Sequence, residues 1–271
     1  MDENSRRIIS LAKEELEPCL SHVLISSCTH VKGHGGVKKM AREVQAALPE
    51  YPFSARFDVA SFYETINHEI LLLQLEDCTC PSHLVEVVRQ YLAKPYTNGS
   101  GIGLTAGGSI SPLLGGLYLH PLDTAFARLS GEGKIGKNND ETALMRREWT
   151  YGNANAKAEK QGIFYRRFMD DIIILAKTRW MLRKAIKLMY NILHYLDQRV
   201  HRKKKIFIVR TERGFDLLGY HFTPRKKLVP SAEILCRMLT RASRLWRGGV
   251  RRKALAVCVM LADLSAWWCF W

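Results

Sequence analysis

Two acidic sites stand out because strand-like residues surround them. Asp170 and Asp171 lie between Phe164-Tyr165-Arg166-Arg167-Phe168-Met169 and Ile172-Ile173-Ile174-Leu175. The aromatic and β-branched flanks predict a β-hairpin whose tight turn carries both acids. Side chains alternate faces along a strand, so at least one of the two carboxylates is presented outward. An acid pair at the tip of a buried hairpin is costly unless a cation or donor meets it. Upstream, Phe53-Ser54-Ala55-Arg56-Phe57 ends in Asp58 and runs into Glu64–Leu71, where apolar residues recur at helical spacing. Alone, an Asp-Asp pair is an ordinary polar turn. Brought together, carboxylates from two strand ends make an oxygen-rich site suited to Mg²⁺, with Mn²⁺ as an alternative ion. In-line phosphoryl or nucleotidyl transfer uses such sites, with two metals about 4 Å apart.

Helices and turns must carry these strands. Arg7–Leu20 is amphipathic and is expected to break near Pro18. His30-Val31-Lys32-Gly33-His34-Gly35-Gly36-Val37-Lys38-Lys39-Met40 leads into a helix ending near Leu48. Its glycines and helix start suit a phosphate-backbone contact or, equally, a solvated turn. His30 and His34 are not read as metal ligands. Pro81–Leu92 reads as a helix, and Pro95–Gly101 as a turn-rich connection. Thr178–Leu193 is an amphipathic helix with a Thr cap. The segment from Ser130 to Gly162 is polar and reads as a surface insertion.

Lys and Arg number 41 against 26 Asp and Glu, a formal charge of +15. That surplus favours a polyanionic partner, because neutralising phosphates releases counterions. Cysteines 19, 28, 78, 80, 236, 258 and 269 form no zinc-ligand spacing and read as thiols in a reducing cytosol. The start, Met1-Asp2-Glu3-Asn4-Ser5-Arg6-Arg7, lacks the basic-then-apolar run of a signal peptide, and no apolar stretch reaches the roughly 18 residues of a membrane span. A cytoplasmic protein is expected.

Four stretches together resemble a bacterial reverse transcriptase of the group II intron-like branch. Phe57-Asp58-Val59-Ala60-Ser61-Phe62-Tyr63 resembles that family's first catalytic motif. Gly103-Leu104-Thr105-Ala106-Gly107-Gly108-Ser109-Ile110-Ser111-Pro112-Leu113-Leu114 resembles its template-and-nucleotide motif. Phe168-Met169-Asp170-Asp171 resembles its aromatic-x-Asp-Asp box, and Phe215-Asp216-Leu217-Leu218-Gly219-Tyr220-His221-Phe222 its primer-grip hairpin. All four occur in the family's order. Two positions depart from its pattern: Ala106 stands where a glutamine is common, and Gly116 where an asparagine is.

The resemblance implies an α+β fold, a right-hand polymerase palm (βαββαβ, RRM-like) with partial helical fingers and a short helical thumb. Residues 1–50 would be partial fingers, 51–222 the palm (with a fingers-like segment at about 81–102 and the insertion at 130–162), and 223–271 the start of the thumb. The family's earlier finger segment, which holds the triphosphate, is expected to be missing. The implied activity is RNA-directed DNA polymerisation by a two-metal mechanism. Its partners would be an RNA template, a DNA primer or RNA-DNA hybrid, a dNTP and a cognate structured RNA, and a partner protein or second copy is compatible with it.

The resemblance also assigns roles. Asp58, Asp170 and Asp171 would be catalytic and, with the Val59 carbonyl, would hold metal, although Asp171 also reads as a structural acid. Tyr63 resembles a steric gate against the ribose 2′-hydroxyl, a discrimination by exclusion. Phe62 is the competing candidate and reads as core. Ala106, Gly107, Gly108 and Ser109 would meet nucleotide and template, with Ser109 and Ser111 donating to phosphates or capping a helix. Leu218, Gly219 and Tyr220 would meet the primer. Lys205, with Lys204 next, would protonate the leaving pyrophosphate, or the run His201–Lys205 would bind phosphate electrostatically. Asn67, His68 and Glu69 read as helix capping with solvent exposure. The basic residues from Arg237 to Lys253 resemble a thumb tracking the duplex backbone, and the aromatic end, 264–271, suggests packing against a domain or partner. The rival reading is a maturase-like RNA-binding protein of the same fold without polymerase activity.

Overall fold

The computed structural model describes residues 3–93, 101–105, 107–130, 162–201, 207–248, 250 and 253. Lys204, Lys205, Ala106, Arg251, Arg252, most of the 130–162 segment and the aromatic end therefore lie outside the described residues. Strands β1 (Phe53–Asp58), β2 (Ile163–Phe168), β3 (Asp171–Ala176) and β4 (Phe207–Arg210) form an antiparallel sheet in the order β2-β3-β1-β4. Between β1 and β2 run α3 (His68–Asp77), α4 (Ser82–Leu92), α5 (Ser111–Tyr118) and α6 (His120–Ser130), and α7 (Arg179–Tyr195) joins β3 to β4. This is the βαββαβ order expected from the sequence.

Strand β3 is buried on both faces. Ile172, Ile174 and Ala176 pack with Phe57, Val59, Tyr165 and the buried stripes of α5, α6 and α7, while Ile173 and Leu175 pack with Phe164, with Met40 and Val44 of α2 (Gly36–Ala47), and with Phe215, Leu217 and Phe222. Double burial is the physical reason for the unbroken Ile-Ile-Ile-Leu run. Ile173→Ala would open a cavity costing about 2–5 kcal/mol.

The ends of the elements follow local chemistry. Asn67 caps α3, accepting from the Glu69 and Ile70 amides, and Thr178 caps α7 by accepting from Met181. Helix α1 (Glu3–Leu20) corrects one expectation, because Pro18 lies inside it and the helix continues to Leu20. The helix ends within a turn of that proline, and the Pro18 carbonyl, one of the acceptors left over at a helix end, is met by both the amide and the hydroxyl of Ser21, at 3.3 and 2.7 Å. Strands β5 (Phe215–Leu217) and β6 (Tyr220–Phe222) form the expected hairpin, with Leu218 at φ 49° and Gly219 at φ 83° in its two-residue turn. Strand β7 (Val229–Pro230) pairs with β6, and Ser231 caps α8 (Ala232–Arg247). Among the described residues no helix is long and apolar enough to cross a membrane.

Candidate active site

The register of β1 on β3 sets Asp58 directly opposite Asp171, and the Val59 amide donates to the Asp170 carbonyl at 3.2 Å. The end of β1 is thereby tied to the turn of the β2-β3 hairpin. Asp58 is 3% exposed. Its carboxyl lies within hydrogen-bonding reach of Asp170. Burial, then the Asp58 charge and hydrogen bond, then the Asp171 charge, push Asp170 up from 3.8 to about 6. Two carboxyls that raise proton affinity by crowding are the electrostatic counterpart of a cation site, since a divalent ion removes the repulsion that a shared proton otherwise relieves.

The turn itself is Met169-Asp170, and Asp171 is the first residue of β3, which corrects the expectation that both acids occupy the turn. Strand geometry therefore gives the two acids different surroundings. Asp171 Oδ1 accepts from Arg56 Nε and Nη2, at 3.3 and 3.0 Å. Among the described residues no group of three or more His, Cys, Asp or Glu side chains is arranged to hold a metal. Asp58 and Asp170 do fit Mg²⁺, which is held by one or two carboxylates and completed by water and substrate phosphates.

Tyr63 flanks this pair closely enough for the Asp170 charge, after burial, to raise its hydroxyl pKa. Its ring lies 5.1 Å from that of Phe62, which is buried in the core as expected. A Cβ on Gly115 would stand 3.1 Å from Phe62 Cε1 and 3.3 Å from Tyr63 Cε1, so a bare Cα in α5 lets both rings sit against the helix. Gly107 and Ser109 are exposed at the rim of α5. Ser111 is buried instead: its hydroxyl donates to the Thr105 carbonyl at 2.7 Å and meets Tyr91 Oη at 3.1 Å, so its oxygen serves the loop rather than a phosphate. His68, expected at the surface, is part-buried with Nε2 2.6 Å from the Gly103 carbonyl.

Beneath the turn lies a network that local sequence did not announce. Arg167, fully buried on β2, donates from Nε to Asp123 Oδ1 at 2.8 Å and from Nη2 to Asp123 Oδ2, and Tyr165 Oη donates to the same carboxylate at 2.7 Å. Breaking one partner of such a pair costs about 3–5 kcal/mol, because a charge stays buried alone. The segment Ser27–Thr29 adds to the edge of β2: Arg167 N–H donates to Ser27 O, and Thr29 N–H to Arg167 O, both at 2.9 Å. That addition brings His30 to the turn. Burial, with the Arg167 charge beside it, pushes His30 down to about 4, so the ring is neutral. A charged residue inside an aromatic, apolar strand segment was the available signal for Arg167; none pointed to His30.

The β5-β6 turn is fixed to α8. Ser231 N–H donates to Gly219 O at 2.8 Å, and a Cβ on Gly219 would stand 3.0 Å from Ile234 Cγ1. Leu218, Gly219 and Tyr220 are half-exposed there, and Arg56 Nη1 donates to Asp216 O at 2.8 Å, linking this hairpin to the acid end of the sheet.

A sheet of this order with two carboxyls meeting at its end is the frame of a palm-like domain. Residues 2–222 match the reverse transcriptase (RNA-dependent DNA polymerase) family, and the chain belongs to that family. Comparison with curated proteins gives no match. Among solved structures it is similar to telomerase from Candida albicans in complex with the TWJ fragment of telomeric RNA, at TM-score 0.53 and 13% identity, covering 84% of this chain and 38% of that one. It is also similar to apo telomerase from Candida tropicalis, at TM-score 0.50 and 11% identity, covering 81% and 39%. These likenesses show a shared fold, and this chain spans under two fifths of either relative.

Proposed function

We propose that this protein is an RNA-directed DNA polymerase that adds deoxynucleotides to a primer 3′-hydroxyl on an RNA template. What supports the reading most is the meeting of Asp58 and Asp170 beside Tyr63 in a chain of this family. The two carboxylates would hold Mg²⁺, with the Val59 carbonyl beside them. When bound there, Mg²⁺ would supply Lewis-acid activation of the 3′-hydroxyl and neutralise charge on the triphosphate. Asp170 must release its proton before it can bind the ion. Tyr63 would exclude the 2′-hydroxyl, Gly107, Gly108 and Ser109 would lie along the template and nucleotide, and Leu218–Tyr220 would hold the primer end. Lys205 is proposed to protonate the leaving pyrophosphate. Arg237, Arg241, Arg244 and Arg247 on α8 would follow duplex phosphates.

On this reading residues 1–50 act as partial fingers, 51–222 as palm and 223–271 as the beginning of a thumb, and the four motifs favour the group II intron-like branch. The test is extension of a DNA primer on an RNA template with Mg²⁺, in wild type and Asp170→Asn. Extension by wild type alone, with hybrid binding retained in both, supports the polymerase. Hybrid binding without extension in either supports the maturase-like alternative, which the engagement of Asp171 by Arg56 favours.

A further inference from the structure

The backbone of Met169 is held on both sides of its Cα. Its residue has φ 53°, a left-handed conformation that costs a non-glycine residue about 1–2 kcal/mol and persists only where the surroundings impose it. Its N–H donates to His30 Nδ1 at 3.1 Å, and its carbonyl accepts from Arg167 Nη1 at 2.8 Å. Neither gripping group is free to follow the turn. His30 Nε2 lies 3.0 Å from the Pro112 carbonyl in the first turn of α5, and Arg167 Nη2 donates to Gly116 O at 3.2 Å while its guanidinium is held by Asp123. With Nδ1 accepting from an amide, Nε2 must carry the proton and donate to Pro112, which defines one tautomer. The imidazole meets the Phe168 ring edge-on at 5.9 Å. It also covers the bare Cα of Gly116, where a Cβ would stand in van der Waals contact, 3.4 Å from Nε2.

We propose that His30 is a positioning residue for the metal-binding turn: it holds Met169 in its left-handed conformation and couples Asp170 to α5, the helix that carries the Phe62 and Tyr63 contacts. The metal part of the proposal rests on the polymerase reading. Arg167 holds the same residue from its carbonyl side, but its removal would strand Asp123 in the core, so His30 is the residue to change.

The experiment compares wild type, His30→Ala, His30→Gln and the double variant His30→Ala/Met169→Gly in three measurements. These are Mn²⁺ binding by electron paramagnetic resonance, amide hydrogen exchange at residue 169, and primer extension. His30→Ala should weaken Mn²⁺ binding about tenfold or more, as loss of a residue orienting a metal ligand does, and should speed exchange at 169 by a similar factor. Glutamine, which can accept and donate from one amide, should restore both in part. Met169→Gly should restore Mn²⁺ binding to His30→Ala, because glycine adopts φ 53° without an external hold. A merely structural His30 would lower the melting temperature without these rescues.

The proposal is overturned if His30→Ala matches wild type in Mn²⁺ binding and exchange, or if Met169→Gly fails to rescue. Wild type that binds Mn²⁺ with no extension would overturn the polymerase reading while leaving the clamp standing. Wild type that binds no Mn²⁺ would overturn the metal part, and the exchange measurements would then decide the clamp by themselves.

Discussion

Arg56 and Asp171 form a bridge between the acid end of the sheet and the β5-β6 hairpin: the guanidinium lies 3.0 Å from Asp171 Oδ1 and donates, from its other terminal nitrogen, to Asp216 O at 2.8 Å. Arg56 and Asp171 are diagonal neighbours on adjacent strands, two positions off the register that opposes Asp58 and Asp171. An acid that looks equivalent to Asp170 along the chain is therefore occupied by an arginine.

Arg56→Ala should accordingly cost about 1–3 kcal/mol, the range for a hydrogen-bonded charged group that is only partly shielded from water. The loss would be read as a lower denaturant midpoint with an unchanged slope. Because it also loosens the hairpin, primer-end affinity should fall while template binding is kept. An unchanged midpoint would remove Arg56 from this structural role.

Asp170 sets a pH window. Its folded-state carboxyl titrates near 6 against an ordinary 3.8, so the folded protein holds the proton more tightly. The stability this group contributes is complete below about pH 4 and is lost as pH rises through about 6 in metal-free solution. Metal binding runs oppositely and should weaken as pH falls below about 6. Asp170→Asn should abolish extension by at least about a thousandfold. It should also raise the metal-free melting temperature at pH 7 by about 2–4 °C, taking about 1 kcal/mol after solvent screening of a half-exposed group. A lower melting temperature at neutral pH would contradict the crowding of Asp58 and Asp170.

Tyr63→Ala should raise ribonucleotide incorporation at least about tenfold, a gain of the size that losing one steric exclusion produces. The ratio of kcat/KM for matched ribo- and deoxynucleotides measures it. An unchanged ratio would leave Tyr63 as packing for Phe62 and Gly115.

Neighbouring glycines before α5 should respond differently. A Cβ on Gly108 would meet Tyr91 Oη at 2.2 Å and Ser111 Oγ at 2.6 Å, whereas at Gly107 it would meet open space but at φ 81°. Gly108→Ala should therefore cost about 1–3 kcal/mol through overpacking and broken hydrogen bonds, and Gly107→Ala only about 1 kcal/mol of backbone strain. Equal costs in thermal unfolding would show that the Tyr91–Ser111 contact does not constrain this loop.

Much of the frame was written in the order of residue types. Alternation and apolar runs predicted β1 and the β2-β3 hairpin, capping chemistry located the starts of α3 and α7, and the Leu218-Gly219 turn suits the hairpin it forms. The flanking residue types also placed Asp58 at a strand end and Asp170 in a hairpin turn, which the sheet then brought together. What the chain could not disclose is partnership across distance. Asp171 is taken by Arg56, Arg167 by Asp123 and the Met169 amide by His30, over separations of 115, 44 and 139 residues. Strand periodicity says that neighbours alternate between faces, but not which face lies against which helix. A charged or strained group is stabilised only by what the other element brings, so those pairings were decided when the sheet, α6 and the Ser27–His30 segment packed together.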